Sequence, residues 1–430
     1  MTSVEEIYDL FVTYPRITTD SRNVPPDSIF FAIKGDLYDG NSFAAEALEK
    51  GAIHAIVSDP AAVAGNRYSL VPDTLLALQQ LASHHRRQIN AKIIGITGSN
   101  GKTTTKELVG RVLGASYPAV ITRGNLNNHI GVPLTLLSIN KDTEFAIIEM
   151  GANHPGEIAG LCRIARPDYG IITNIGKAHL EGFGSFEGVV RAKSELFDFI
   201  RENDGLVFIN LDNDLLCKLA KGMRMITYGS SALAGCSGTI TERYPYLSVR
   251  WRSGGQTGKV DSKLFGDYNF ENIMAAICIG LNFGIAPELI EHEIGNYQPD
   301  NNRSQMIKTR KNILILDAYN ANPSSMKAAL VNFAEHAARS KMIILGDMME
   351  LGEYSHQEHL EIVDLIRKLH FDKVVLVGEI FGSAAKGGDE ICFGTISEVE
   401  IWLQNHPVLD QSILVKGSRK MQLERIRNLL

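Results

Sequence analysis

The run Ile93-Ile94-Gly95-Ile96-Thr97-Gly98-Ser99-Asn100-Gly101-Lys102-Thr103-Thr104 is the segment whose residue types and spacing most openly offer chemistry. An apolar strand passes into a Gly-rich turn and then a helical stretch, an order in which backbone N–H groups and a helix N-terminus cradle phosphates. Gly98, Ser99, Asn100, Gly101 and Thr104 would form that cradle, Lys102 would add a positive charge, and the Thr103 hydroxyl would ligate Mg²⁺. The glycines follow G-x-x-G-K-T, with Ile96 where a strict G-x-x-x-x-G-K-[ST] pattern begins. The assignment therefore leans on the strand–turn–helix context. Glu149, ending the run EFAIIE, is a carboxylate well placed for a hard cation beside phosphates. Together these segments say that a nucleotide is bound, and leave open which reaction it serves.

Other polar positions add possibilities. In TDSR (19–22), Ser21 and Arg22 are donors suited to pyrophosphate or uracil oxygens, although the tetrapeptide alone also reads as a solvated turn. The loop GNLNNHIGVP (124–133) holds three Asn between glycines; they are turn residues or, with Asn128 foremost, substrate contacts. His179 lies in NIGKAHLE (174–181) and Lys193 in RAKSELF (191–197); alone, each reads as an ordinary structural residue. In GDYNFENIMAA (266–276), Asn269 and Asn272 share a helix face, and either capping or ligand contact is open to them. Further along come Arg303, DAYNANP (317–323), LGDMMELG (345–352) with His356 and His359, and VKGSR (415–419).

Taken in order, these motifs resemble the Mur ligases along nearly the whole chain, and the resemblance implies ATP and Mg²⁺ as cofactors. By it, TDSR with IFFAIKG (29–35) and Asp39-Gly40 looks like a UDP-binding domain, and Asn128 faces the muramoyl substrate. Glu149 becomes a Mg²⁺ ligand of the ATP site, His179 helps hold a second ion, and Asn272 meets adenine. Lys193 resembles the family's carbamylated lysine, a modification that needs a neutral amine and so burial or neighbouring cations. Arg303 stands in the place of the γ-phosphate arginine, following Asn302 where a Gly is usual. The segments DAYNANP and GDMMELG are similar to the branch that adds D-alanyl-D-alanine to a UDP-muramoyl tripeptide, and no D-N-P-R-type motif of the diaminoacid-adding branch is found. Asn320, Asn322 and Asp347 would then meet the dipeptide's ammonium and carboxylate. Lys102, Lys193, His179 and Arg303 would carry an ATP-driven amide ligation through an acyl phosphate. Folylpolyglutamate synthase, the diaminoacid-adding ligase, a small-molecule kinase and a non-catalytic nucleotide-binding module stay as rivals. The third residue of the tripeptide is open between a diaminopimelate and lysine.

The elements that must position these residues are short apolar runs, each succeeded by a Gly, Asn or Asp turn and a helical stretch. They fall at 28–35, 92–98, 144–151, 168–176, 312–320, 341–348, 373–379 and 412–418. Continuous apolar strands alternating with helices predict α/β architecture with parallel sheets covered on both faces, and ligands beyond the strands' C-terminal ends. Seams at Gln88–Ala91 and at YQPDNNRSQ (297–305) divide the 430 residues into 1–88, binding the UDP-muramoyl peptide, 89–300, a central P-loop-type ATPase domain, and 301–430, a Rossmann-like domain for the incoming dipeptide. The 44% hydrophobic, 21% charged composition is that of a soluble globular chain, and a net charge of −6 gives no case for a nucleic-acid surface. Apolar stretches too short and broken for membrane insertion, an acidic start without a leader pattern, and five cysteines without a C-x-x-C pair point to the cytoplasm and reduced thiols; a monomer is expected, although the sequence does not reveal the oligomeric state.

Overall fold

Each of the eight apolar runs is a strand, and the strands assemble into three sheets in chain order. The computed structural model describes residues 1–35, 38–300, 302–336 and 338–430; the second seam, at 297–305, includes Asn301, which lies outside them. The first sheet is parallel throughout, in the order Ile17–Thr18, Ile29–Phe31, His54–Val57, Tyr68–Leu70. Its apolar run is buried on both faces: Ile29, Phe31 and Ile33 face one core, Phe30 and Ala32 the other. The helix Thr74–Gln88, capped by Asp73, buries Leu78, Leu81 and Ala82. Near its end Arg86 donates to the carbonyls of Ala165 (2.9 Å) and Arg166 (3.0 Å) and to Asp168 Oδ2 (3.0 Å), tying the first unit to the second.

The second sheet has nine strands. Its strand Lys92–Thr97 lies between Phe145–Glu149 and Tyr169–Ile172, all three parallel. Ile94 and Ile96 turn toward the helices Lys102–Gly114 and Asn269–Asn282, whereas Ile93 joins Leu161 and Leu196 of the opposite layer. Because neighbouring parallel strands end together, Gly98, Glu149 and Thr173 arrive on one edge. The expectation of wholly parallel sheets needs correcting here. Cys236–Glu242, Ser248–Ser253 and Gln256–Asp261 close this sheet as antiparallel neighbours. Their sequences mix polar and apolar residues and are only partly buried, so they carry no continuous apolar run to betray them.

The third sheet runs Gln305–Lys308, Ile313–Asp317, Ser412–Lys416, Lys341–Gly346, Lys373–Val377, Ile391–Phe393, with only the first strand antiparallel. The chain passes from Ile313–Asp317 to Lys341–Gly346 and returns at the end to fill the gap between them, so the strand order switches at Ser412–Lys416. Ligands of such sheets gather at the C-terminal side of that switch.

Between the second and third units His336 comes directly after the helix Pro323–Glu335. It packs 4.2 Å from the Tyr244 ring and 5.8 Å from Phe265, with Phe333 stacked at 5.9 Å. Burial drives its imidazole from the usual 6.5 down to about 4, so the folded chain holds it neutral. The unfolded chain then takes up a proton between pH 6.5 and 4 that the folded chain refuses, and stability must fall as pH drops through that window. The expected loss is up to about 3 kcal/mol. His336→Gln should flatten the slope in urea titrations compared at pH 7 and 4.5.

Candidate active site

Gly98 and Gly101 have φ of 147° and 79°, and a Cβ on Gly101 would come within 2.5 Å of Asn272 Oδ1, so the turn can close only with glycine there. Side chains from the strand edge fix the loop. Asn100 N–H donates to Asn174 Oδ1 (3.0 Å), Thr173 Oγ1 donates to the Asn100 carbonyl (2.6 Å), and Ser99 Oγ accepts from Gly176 N–H (2.9 Å). Lys102 opens the next helix and folds its ammonium back onto the carbonyls of Gly98 (2.6 Å) and Ser99 (3.3 Å). Burial lowers its pKa, and Glu149 works against that shift. Thr104, on the same turn, is half-buried at the rim of the cleft.

Thr103 Oγ1 donates to Glu149 Oε2 at 2.9 Å, and Asn127 Nδ2 donates to the other carboxylate oxygen at 2.7 Å. Two oxygens bound cis on an octahedral Mg²⁺ at about 2.05 Å lie about 2.9 Å apart, so the spacing and the donor chemistry fit this ion. No group of three or more His, Cys, Asp or Glu gathers among the described residues. A phosphate-bound Mg²⁺ needs only one or two protein oxygens. Thr105 Oγ1 donates to Asn272 Oδ1 (2.9 Å), and Asn272 Nδ2 donates to Asn269 Oδ1 (2.9 Å). Asn272, assigned to adenine from the sequence, lines the cleft, but both ends of its amide are engaged in joining its helix to the loop helix. Asn269 does not cap its helix: it donates to the Phe265 carbonyl instead.

His179 lines the same cleft with φ of 52°, its Nδ1 lying 2.5 Å from Glu350 Oε2 of the third unit. Lys193, on the helix Phe186–Glu202, is 1% exposed, with its amine 5.5 Å from the centre of the Phe183 ring. Burial and the Lys102 cation pull its pKa down to about 7. Glu157 and Glu195 work against that shift, and the Glu195 carboxylate is held by Gly156 N–H (2.6 Å) and Ala159 N–H (2.8 Å). A neutral amine is thus available near neutral pH.

From the third unit, Lys416 pairs with Asp317 at 2.5 Å, and Asp317 Oδ1 accepts from Ser304 N–H (3.1 Å). Asn302 takes φ of 57°, the left-handed turn a glycine would have supplied, which Asn tolerates. Arg303 consequently lies with its guanidinium 3.6 Å from the Tyr319 ring centre, and Arg419 approaches the same ring at 5.5 Å. Asn322 caps the helix Pro323–Glu335 and donates to Asn100 Oδ1 of the phosphate loop at 2.9 Å. Asn320 is exposed at the cleft, with its Oδ1 on Ala321 N–H (2.9 Å).

Asp347, expected to meet the dipeptide, does not line the cleft. Its carboxylate is buried and accepts from Phe381 N–H (2.8 Å) and Ile380 N–H (3.1 Å), the start of the helix Glu379–Ala384. A helix N-terminus satisfies the charge that the motif alone assigns to an ammonium. Ser21 and Arg22 also lie away from the cleft, where Arg22 grips Asp20 with two bonds of 2.9 Å. Asn128 does line it, holding Ile130 N–H (3.1 Å) and Gly131 N–H (2.9 Å) through Oδ1. The cleft, about 1130 Å³, takes residues from all three units, Gln79 representing the first. Sequence reasoning missed Asn127 among its Asn neighbours, Tyr319 inside DAYNANP, and Glu350 inside LGDMMELG, none of which carries a local signal that sets it apart from its motif.

Three family models cover the chain in sequence: "Mur ligase family, catalytic domain" over 13–86, "Mur ligase middle domain" over 96–280, and "Mur ligase, glutamate ligase domain" over 302–418. The UDP-N-acetylmuramoyl-tripeptide--D-alanyl-D-alanine ligase of Bacillus subtilis is 36% identical across 95% of this chain and 92% of its own. The chain belongs to the Mur ligase family. It is an ATP-dependent ligase with that family's three-domain fold. The crystal structure of MurF from Acinetobacter baumannii is 34% identical with a TM-score of 0.87, over 96% of this chain and 92% of that one. MurF ligase from Thermotoga maritima in complex with ADP is 26% identical with a TM-score of 0.86, over 98% and 97%.

Lys102→Ala should leave the thermal unfolding midpoint within a few degrees of the parent, because side chains other than Lys102 fix the loop. Its kcat should fall on the order of 100-fold or more. A steady-state phosphate-release assay checks this; near-normal turnover would show that the loop does not serve ATP.

Proposed function

We propose that this Mur ligase joins D-alanyl-D-alanine to UDP-N-acetylmuramoyl tripeptide at the expense of ATP, as a cytoplasmic monomer in peptidoglycan precursor synthesis. The observation that carries the reading is the near full-length likeness to enzymes named for this activity, at 36% and 34% identity. No helix among the described residues is long and apolar enough to cross a membrane.

The geometry suits carboxylate activation. The loop backbone from Gly98 to Thr104 and the Lys102 ammonium hold the ATP phosphates, and Arg303, laid flat on Tyr319, waits across the cleft for γ-phosphate charge. The peptide carboxylate attacks the γ-phosphorus and ADP leaves. The dipeptide amine then attacks the acyl carbon of the acyl phosphate, and inorganic phosphate departs. Attack of one anion on another calls for neutralisation and alignment more than acid–base groups. Mg²⁺, held by Thr103 and Glu149 with a second ion at His179 and the Lys193 carbamate, would supply much of that neutralisation when bound. Asn128 and Ser21–Arg22 serve different parts of the muramoyl nucleotide, which is long enough to extend beyond the cleft. Asn320 and Asn322 face the incoming dipeptide, and the third domain shields the acyl phosphate from water.

The test supplies UDP-muramoyl tripeptide, ATP and Mg²⁺, and compares phosphate release with D-Ala-D-Ala, L-Ala-L-Ala, D-Ala, lysine and glutamate as sole amine. D-Ala-D-Ala should lead by several powers of ten. Faster turnover with a single amino acid would overturn the dipeptide branch, and phosphate release without an amide product would favour a kinase.

Carbamylation of Lys193 makes a separate prediction. ¹³C-bicarbonate should give a carbamate resonance that Lys193→Ala lacks. The variant should lose on the order of 100-fold in kcat, part of which millimolar short-chain carboxylates restore. An active Lys193→Ala, or no carbamate signal in the active parent, would count against the modification.

A further inference from the structure

The strand Ser412–Lys416, which fills the switch in the third sheet, ends in a turn that its neighbours hold on both sides. A Cβ on Gly417 would come 3.1 Å from Gly346 Cα and 2.8 Å from Leu423 Cδ1, so the chain passes tightly against the end of Lys341–Gly346. Ser418 N–H donates to the Asp347 carbonyl (3.3 Å), while Ser418 Oγ accepts from Met349 N–H (2.9 Å) and donates to the Ala321 carbonyl (3.5 Å). Arg419 therefore starts from backbone pinned between the loops that follow both adjacent strands, at the point where a ligand of such a sheet binds. Its side chain is exposed in the cleft, 5.5 Å from the Tyr319 ring centre, and meets no carboxylate among the described residues. Lys416, by contrast, is already matched by Asp317.

Two arginines thus flank Tyr319, and the proposed reaction brings two anions to this part of the cleft: the γ-phosphate and the carboxylate of the dipeptide. Arg303 belongs to the phosphate side. Its neighbour Ser304 has Oγ 2.8 Å from Tyr268 Oη, next to the helix that braces the phosphate loop, and the Arg303 cation helps to depress the Lys102 pKa. The backbone around Arg419 is tied instead to loops of the third domain itself.

We propose that Arg419 binds the free carboxylate of the incoming dipeptide and so sets how far the dipeptide's amine reaches toward the acyl phosphate. The inference rests on the reading of this enzyme as a D-alanyl-D-alanine ligase. A guanidinium presents parallel N–H donors to both oxygens of a carboxylate, which fixes direction as well as charge. A cation fixed at one end of the amine substrate is a gauge of that substrate's length. Each residue of extended chain spans about 3.3–3.6 Å, so a single amino acid held by the same carboxylate contact leaves its amine about 3.5 Å short of the acyl carbon. Misplacement by about 1 Å is already enough to cost a reaction on the order of 100-fold. A dipeptide whose carboxylate is blocked loses the anchor altogether.

The experiment measures phosphate release by the full chain with UDP-muramoyl tripeptide, ATP and Mg²⁺, supplying D-Ala-D-Ala, its C-terminal amide, or D-Ala as the amine. For the parent, the amide should show a KM about 10- to 100-fold above that of D-Ala-D-Ala. Arg419→Ala should raise the D-Ala-D-Ala KM by the same factor, erase the difference between dipeptide and amide, and leave the KM values for ATP and tripeptide unchanged. Its slow rate with D-Ala should not fall, since the anchor never placed that amine correctly. Arg419→Lys keeps the charge without the fork and should lie between parent and Ala variant, still preferring the free carboxylate. Because Arg419 is exposed, both variants should unfold within a few degrees of the parent. Equal KM values for dipeptide and amide in the parent would overturn the proposal. So would an Arg419→Ala variant that keeps the preference, one whose D-Ala rate falls in step with the dipeptide rate, or one whose ATP KM rises as much as its dipeptide KM. A parent that ligates no dipeptide at all overturns the dipeptide reading and this inference with it, whereas the other adverse outcomes strike Arg419 alone.

Discussion

Thr103 and Glu149 meet at 2.9 Å because two parallel strands, Lys92–Thr97 and Phe145–Glu149, pair in register and end at the same level. Most of the active site depends on that registry. The first strand hands the chain to the phosphate loop, so Thr103 sits one turn beyond its end. The second brings a buried carboxylate to the same height. The third, Tyr169–Ile172, supplies Thr173 and Asn174 to brace the loop from the other side. A one-residue slip would turn Glu149 to the opposite face of the sheet. The apolar faces of these strands, packed into separate cores, prevent such a slip.

Around this anchor, asparagine does much of the joining. Asn127 holds Glu149, Asn272 holds Thr105, and Asn174 and Asn322 hold Asn100 from two domains. An amide carries a donor and an acceptor without net charge, so it can tie a buried loop together without altering the electrostatics that phosphates and cations require. Several of the charges that line the site are restrained: Lys102 on loop carbonyls, Lys416 on Asp317, Arg303 on an aromatic face. Such groups are set in place before a ligand arrives, and need little reorganisation as charge develops.

The strands that build the site were legible because parallel, doubly covered strands read as unbroken apolar runs. The antiparallel closing strands were not, since their mixed, partly exposed residues look like ordinary polar sequence. Among site residues, those whose chemistry is intrinsic to a motif could be read: a loop glycine, a lysine at a helix start, a carboxylate ending a strand. Asp347 shows where such reading stops. A carboxylate after a strand in an α/β sheet has two common uses, ligand contact and helix capping, and local sequence does not decide between them. The 2.8 and 3.1 Å bonds to Phe381 and Ile380 N–H do, and those partners lie more than thirty residues away. Glu350 was hidden for the same reason, because its partner is on another domain. At Asn302 the chain keeps a left-handed turn, since Asn shares with Gly the ability to hold φ at 57°.

The second and third domains are held by contacts of a particular kind. Beside the aromatic packing at His336 stands a set of polar links: Asn322 to Asn100, Lys177 to Glu358, Tyr354 to the Gly184 carbonyl, and Glu350 with His179. Side chains such as Lys177, 45% exposed, can exchange these partners for water at small cost. One of these links, Asn322 to Asn100, ends on the phosphate loop itself, and the Glu350 carboxylate lies against His179. In the proposed reaction, the seated third domain would shield the acyl phosphate from water.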